Sequence, residues 1–288
     1  MVPEHFSRFA AIDWSGAKGS RHRGIAVALC DKGDAAPVLV DPPDGVWSRQ
    51  AVLDWLVARR SDPMLVGFDF SFSAPFMARG AHLPGETDSV RARDLWAYVD
   101  AHSADVDLGA ASFLEARRSR HFYLGAADGA KADFMHFREC ETWFNAQGGG
   151  KPSTVYDAIG AAQVAKSSFA GMRLLHRLDG AIPVWPFDPA PSKGAAIVEI
   201  YTTIAARAAG IRKGLSKMRG PDALDEALTS PAIGSRPHAP LARYDDHATD
   251  AILTAAWLRA SARRTELWHP QAMTDAIAQS EGWTFGVA

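Results

Sequence analysis

Two apolar runs each end on a carboxylate, an aromatic and a serine. "RFAAIDWSG" (8–16) carries Asp13-Trp14-Ser15, and "LVGFDFSFS" (65–73) carries Asp69-Phe70-Ser71. If both are strands, alternation puts Ala11, Asp13 and Ser15 on one face and Ala10, Ile12 and Trp14 on the other. In the second run Gly67, Asp69, Ser71 and Ser73 share a face opposite Val66, Phe68, Phe70 and Phe72. The aspartate faces consist of small residues, which leave space around each carboxylate. A core would fill that space, whereas a ligand site needs it open. A third acid, Glu199 in "AAIVEIYT" (195–202), shares its side with Ile197 and Tyr201, a more crowded setting.

Parallel pairing of the strands starting at residues 8 and 64 would bring Asp13 and Asp69 to the same edge of a sheet. Carboxylates about 5 Å apart repel by roughly 3 kcal/mol at an effective dielectric near 20. A shared proton, an Arg or Lys, or a divalent cation could relieve this. Lys18, Arg21 and Arg23 on the first hairpin are available cations, though turns also carry such residues for solubility. A hard ion such as Mg²⁺ or Mn²⁺ accepts carboxylate oxygens and would convert the repulsion into binding. Further donors stand in "DDHATDA" (245–251), where Asp246, His247 and Asp250 fall near one face of a helix's first turns. Capping accounts for Asp245 or Asp246 alone; Asp250 lies inside the helix beside Ala251-Ile252-Leu253.

The elements that must position these groups follow from periodicity. Residues 8–15, 24–30 and 37–41 read as strands joined by short turns, 48–60 as a helix capped by Ser48, and 64–71 as a strand after a right-handed crossover. The order is β-β-β-α-β. Residues 76–194 read as a large, mostly helical insertion or lid packed on the core, with helices at 86–103, 107–120 and 161–178 interrupted by the breaker-rich "NAQGGGKPS" and followed by "IPVWPFDPAPSKG". A strand at 195–202, a short helix at 223–228 and a helix at 245–264 complete a single α/β domain over 1–288, its core at about 1–75 and 195–288. A mixed sheet of five strands, or slightly more, is expected.

Composition bounds the class. The chain has 288 residues, 47% hydrophobic and 22% charged, with a formal charge of −2, which describes an ordinary globular protein and excludes a generally basic nucleic-acid coat. No uncharged apolar run is long enough to span a bilayer, and the N-terminus lacks a signal-peptide pattern. Cys30 and Cys140 form no CxxC pair, so reduced thiols and a cytoplasmic address are expected. The glycine run before Lys151 fails the phosphate-loop pattern, with Asn145 in place of the first glycine and Pro152 after the lysine.

Together, a hairpin strand bearing Asp, an acid on the strand after the first crossover and a late helix beginning His/Asp-x-x-Asp-Ala resemble the ribonuclease H-like fold. "HATDA" is similar to the equivalent helix of RuvC-type resolvases. "AIDWSG", "VGFDFSFS", "IVEIYT", "DDHATDA", "EGWTFGV" and "KPSTVYDAIGAAQV" resemble domain-of-unknown-function family number 429, predicted ribonuclease H-like nucleases. The third strand departs from the expected acid-x-His/Tyr-Pro-Glu, reading Glu199-Ile200-Tyr201-Thr202-Thr203. The resemblance implies phosphodiester hydrolysis with two Mg²⁺ or Mn²⁺ ions about 3.5–4 Å apart. Asp13 would bridge them, Asp69 would hold one and Asp250 the other. Asp246 or His247 would be a supporting ligand or proton shuttle, and Glu199 a peripheral acid. A nucleic-acid substrate would meet Lys18 and Arg21, the basic run 207–220 with Arg212, Lys213 and Lys217, and Arg117, Arg118 and Arg120 beside Phe122 and Tyr123. Solvated helix faces explain the last two clusters equally well. Two other classes remain open: an ATP-dependent phosphotransferase of the actin and sugar-kinase type, which needs a duplicated second half that the chain after residue 190 is too short to hold, and a non-catalytic binding domain.

Overall fold

The computed structural model describes residues 2–149, 153–160, 164–212 and 218–288. Its strands are β1 (Arg8–Asp13), β2 (Ala26–Asp31), β3 (Val38–Leu39), β4 (Met64–Phe68), β5 (Val184–Trp185) and β6 (Ala196–Glu199). Its α-helices are α1 (Arg49–Ala58), α2 (Ala92–Ala101), α3 (Ala111–Glu115), α4 (Glu139–Ala146), α5 (Ala165–Arg177), α6 (Thr202–Ala208), α7 (Pro221–Leu228), α8 (Asp246–Ser261), α9 (Thr265–Trp268) and α10 (Asp275–Ser280). The strands form one six-stranded mixed sheet in the order β3-β2-β1-β4-β6-β5. β1 is antiparallel to β2 and parallel to β4, and β4, β6 and β5 run parallel to one another.

Each face of the sheet carries its own core. Ile12, Val66 and Phe68 point into a cluster that continues through Leu56 of α1, Leu95 of α2 and Phe113 and Phe169 of the insertion. Ala11, Leu65 and Val198 point the other way, against Ile252, Ala255 and Ala256 of α8. α8 crosses β1 and β2, and its small residues let the backbones approach closely. Its burial on nearly every side explains its uniformly apolar middle.

The first half follows the expected β-β-β-α-β order, with β3 reduced to two residues. The insertion differs more. The helix expected at 107–120 is only α3, because Asp107 and Leu108 take left-handed backbone angles (φ 49° and 55°) that no helix tolerates. The helix expected at 86–103 begins at Ala92, after a turn in which Ser89 donates its hydroxyl to Arg91 O. β5 and α6 come from segments read as loop and strand end. Nor does the insertion rest on a finished core: α5 packs on α1 and α2, and the Trp14 indole donates to Ser167 O at 3.1 Å. Among the described residues no helix is long and apolar enough to cross a membrane.

Candidate functional site

Parallel pairing matches Ile12 with Phe68, and the Asp69 amide donates to Ile12 O at 3.1 Å. Asp13 and Asp69 therefore leave neighbouring strands in step, at the carboxyl ends, where ligands gather in open α/β sheets. Gly67 keeps β6 close beneath them: a Cβ there would fall 2.7 Å from Ile200 Cγ2.

α8 brings the third aspartate. Asp245 is its cap, accepting the Ala248 amide at 3.0 Å, which settles the choice between the two acids that open the helix. Asp246 is the first helical residue, half-buried. His247 reaches back across the gap, with Nδ1 3.1 Å from Asp13 Oδ2. One turn on, Asp250 comes close enough to Asp69 for its charge to act there.

Electrostatics register this convergence. Burial is the largest force raising the Asp69 carboxyl well above the usual carboxylate range, and the charges of Asp13 and Asp250 add to it. Thr202 opposes both through its amide and through a hydroxyl 3.4 Å from Asp69 Oδ2. Asp13 is raised by burial too, against the hydrogen bond and charge of His247. That hydrogen bond in turn is the main cause of the raised His247 value. Among the described residues neither Asp13 nor Asp69 has a Lys or Arg ion-pair partner.

The donor set is oxygen-rich, and neither Asp13 nor Asp69 meets a Lys or Arg among the described residues, which suits a hard divalent cation. As the side chains stand, no group of three His, Cys, Asp or Glu among the described residues encloses an ion. The fit is one of donor chemistry and placement alone.

The loop after Asp13 is clamped. Arg49, fully buried at the start of α1, donates to Ser15 O at 2.9 and 2.8 Å and to Ala17 O at 2.6 Å. Asp107 completes the clamp by accepting the Arg49 and Gln50 amides, each at 2.9 Å, and by meeting His22 Nε2 at 2.9 Å. Gly16 sits so near α5 that a Cβ would fall 2.3 Å from the Lys166 carbonyl carbon.

Glu199 stands apart from the aspartates. It pairs in register with Phe68, so alternation turns it away from the Gly67 face. Arg138, 1% exposed, forks onto it with Nη1 2.8 Å from Oε2, and the Phe72 amide donates to Oε2 at 2.7 Å. Thr284 donates to the remaining oxygen. These partners give Glu199 a structural task, joining α4 and the C-terminal tail to the sheet.

The expected nucleic-acid contacts divide. Lys18 is exposed, Arg21 donates to Asp44 O at 3.1 Å, and Arg212 is exposed beyond α6. Lys213 and Lys217 lie outside the described residues. Arg117 is committed to Glu86 at 2.6 Å and Arg118 to Asp128 at 2.9 Å, so neither is available to a phosphate backbone. Sequence reading missed Thr202, whose signal is a hydroxyl residue at the first position of the helix that follows the β6 strand. It also missed Arg49, a cation at a helix N-terminus where the dipole disfavours it. A pocket of about 120 Å³ opens beside Asp69, walled by Phe70, Phe144, Ile200 and Tyr201.

Searches against family models, curated proteins and solved structures returned no match.

Proposed function

We propose that this chain is a ribonuclease H-like, divalent-cation-dependent nuclease hydrolysing phosphodiester bonds. The observation that carries the reading is the meeting of Asp13, Asp69 and Asp250, from two parallel strands and one helix, with His247 and, among the described residues, no Lys or Arg against Asp13. Burial and mutual repulsion make the cluster unfavourable to the fold, an arrangement that ligand binding relieves. The sheet supports the same reading: an antiparallel hairpin at β1–β2, a parallel crossover to β4 and a helix laid across β1. After β6 the described chain adds helices and no further strand, so a second β-β-β-α-β half of the kinase type is absent from the described residues.

Within this reading each residue has a physical task. Asp13, Asp69 and Asp250 would hold the cations, Mg²⁺ or Mn²⁺, which supply charge neutralisation for the reacting phosphate when bound. His247, hydrogen-bonded to Asp13, can hold and move a proton at the site's exposed mouth. Thr202 fixes the Asp69 rotamer. Arg49 and Asp107 keep the loop after Asp13 in one conformation. The apolar pocket beside Asp69 offers stacking walls for a base next to the scissile phosphate.

The test is cleavage of labelled single- and double-stranded DNA and RNA with Mn²⁺, with Mg²⁺ and with chelator, alongside calorimetric titration of Mn²⁺. Metal binding and metal-dependent cleavage that both vanish in Asp13→Asn are expected. Absence of Mn²⁺ binding by the wild-type protein would overturn the reading.

A further inference from the structure

A second cavity, of about 180 Å³, lies in the insertion and is lined by Arg79, Arg120, His121 and His136 with Ser119 and Phe134 and by two acids, Asp128 and Asp133. Two of its cationic or donor side chains are left short of partners. Arg79 Nη1 and both ring nitrogens of His121 are buried without a hydrogen bond. His121 is 3% exposed, and its Nε2 comes within 3.3 Å of Glu86 Oε1 without making a hydrogen bond to it. Buried donors are ordinarily satisfied, and a neutral imidazole donates from one nitrogen only, so Arg79 Nη1 and one His121 N–H beside this cavity call for an acceptor from outside the chain.

The acids nearby do not supply it. Glu86 is held by Arg117 at 2.6 Å and Arg120 at 3.3 Å. Asp128 spends its oxygens on Arg118, the Ser119 hydroxyl and the Leu124 amide. Asp133, also in the lining, is exposed at the rim. The Arg79 guanidinium is held over the Tyr156 ring, 4.7 Å from its centroid, which fixes its direction. Tyr156 is itself anchored through its hydroxyl to His82 O at 2.6 Å.

We infer that this cavity is an oxyanion site of the phosphate class, in which Arg79 and His121 donate to the bound group and Arg120 covers it from the rim. Guanidinium and imidazole donors converging on one small polar cavity match the acceptor geometry of a phosphate. The site is separate from the aspartate cluster and stands whether or not those aspartates hydrolyse anything. Its ligand is either free phosphate or the terminal phosphate monoester of an oligonucleotide.

Calorimetric titration of the full chain distinguishes these sources and tests the site. The titrants are inorganic phosphate, a 5′-phosphorylated trinucleotide and its unphosphorylated counterpart, all without divalent metal. Binding of inorganic phosphate, or of the phosphorylated trinucleotide over the unphosphorylated one, is expected. Each should weaken at least roughly tenfold in Arg79→Gln, given the strength of hydrogen bonds to charged groups. Arg120→Gln should weaken it less, because that side chain is largely exposed. Arg91→Gln, which removes a surface cation paired only with Asp94 at 3.0 Å, should change nothing. No binding by any titrant, equal binding of both trinucleotides without binding of inorganic phosphate, or binding unchanged in Arg79→Gln would overturn the assignment.

Discussion

Replacing Asp69 with asparagine keeps its size, while removing a charge that Asp13 and Asp250 both oppose. The same holds for Asp13, whose carboxyl is buried beside Asp245 and relieved mainly by His247, with the Trp14 amide. Asp13→Asn and Asp69→Asn should therefore melt at or slightly above the wild-type temperature in the absence of metal. Metal-dependent cleavage should meanwhile fall by roughly a thousandfold, the kinetic equivalent of several kcal/mol of lost charge stabilisation. Scanning fluorimetry with a cleavage assay reads both, and a large fall in melting temperature would instead make these residues structural. Glu199 predicts the reverse. Glu199→Gln removes one of the two carboxylates on buried Arg138, leaving Glu141 at 2.6 Å, so the loss should approach but not exceed the roughly 3–5 kcal/mol of a broken buried pair. Urea denaturation should show that loss. Two acids at adjacent strand ends thus differ in kind, because one faces room and repulsion while the other faces a guanidinium.

At the scale of elements, the loop between β1 and β2 depends on α1 and on Asp107 from outside the core. Asp107 is half a cap and half a counter-ion: its carboxylate takes two helix-start amides and His22, and Arg49 lies alongside. Burial works to raise its pKa, but the His22 hydrogen bond and the Gln50 and Arg49 amides outweigh burial and hold it below the ordinary 3.8. A carboxylate with a depressed folded-state value stabilises the fold above its unfolded value and loses that contribution as pH falls through the folded one. Asp107→Asn should accordingly lower stability near neutral pH, with the difference from wild type shrinking as pH drops below about 3.8. Thermal melts across pH test this; a difference that grows towards acid would refute it. Gly16→Ala tests the other side of the loop, because its Cβ would strike the backbone of α5 at 2.3 Å and force apart the segment that follows Asp13.

The same elements show what a sequence can convey. The period-2 pattern in "RFAAID" and "LVGF" was enough to place Asp13 and Asp69 side by side, since alternation and parallel pairing are local consequences of strand geometry. Glu199 read from the same pattern as a peripheral acid in a more crowded setting, with no sign of a structural ion pair. Its partner Arg138 lies 61 residues away on an unrelated helix, and no period encodes such a pairing. The breaks at Asp107 and Leu108 were equally hidden, because neither residue type announces a left-handed backbone. β5, two residues long between prolines, was too short to carry any periodicity.

On the scale of the whole molecule, one sheet separates two cores, and the C-terminal tail ties them together. Glu281, 1% exposed, accepts the Met77 amide at 2.8 Å and the Glu139 amide at 2.7 Å, joining the segment after β4 to α4. Its carbonyl accepts Arg138 Nη1 at 3.0 Å. Trp283 and Phe285 are fully buried, and the Phe285 amide donates to Glu199 O at 2.8 Å, alongside the end of β6. Removing residues 281–288 would orphan those amides and take the Glu281 carbonyl from Arg138, which would keep Glu199 and Glu141. Each buried donor left unmet costs about 1–3 kcal/mol, and a domain's whole stability is only about 5–15 kcal/mol. The truncated chain should therefore lose its cooperative melt by circular dichroism and become open to trypsin after Arg138, which the intact tail keeps 1% exposed. The intact chain should resist cleavage there and unfold in one transition. A truncated chain that kept a sharp melt and a protected Arg138 would show that the two cores hold together through the sheet alone.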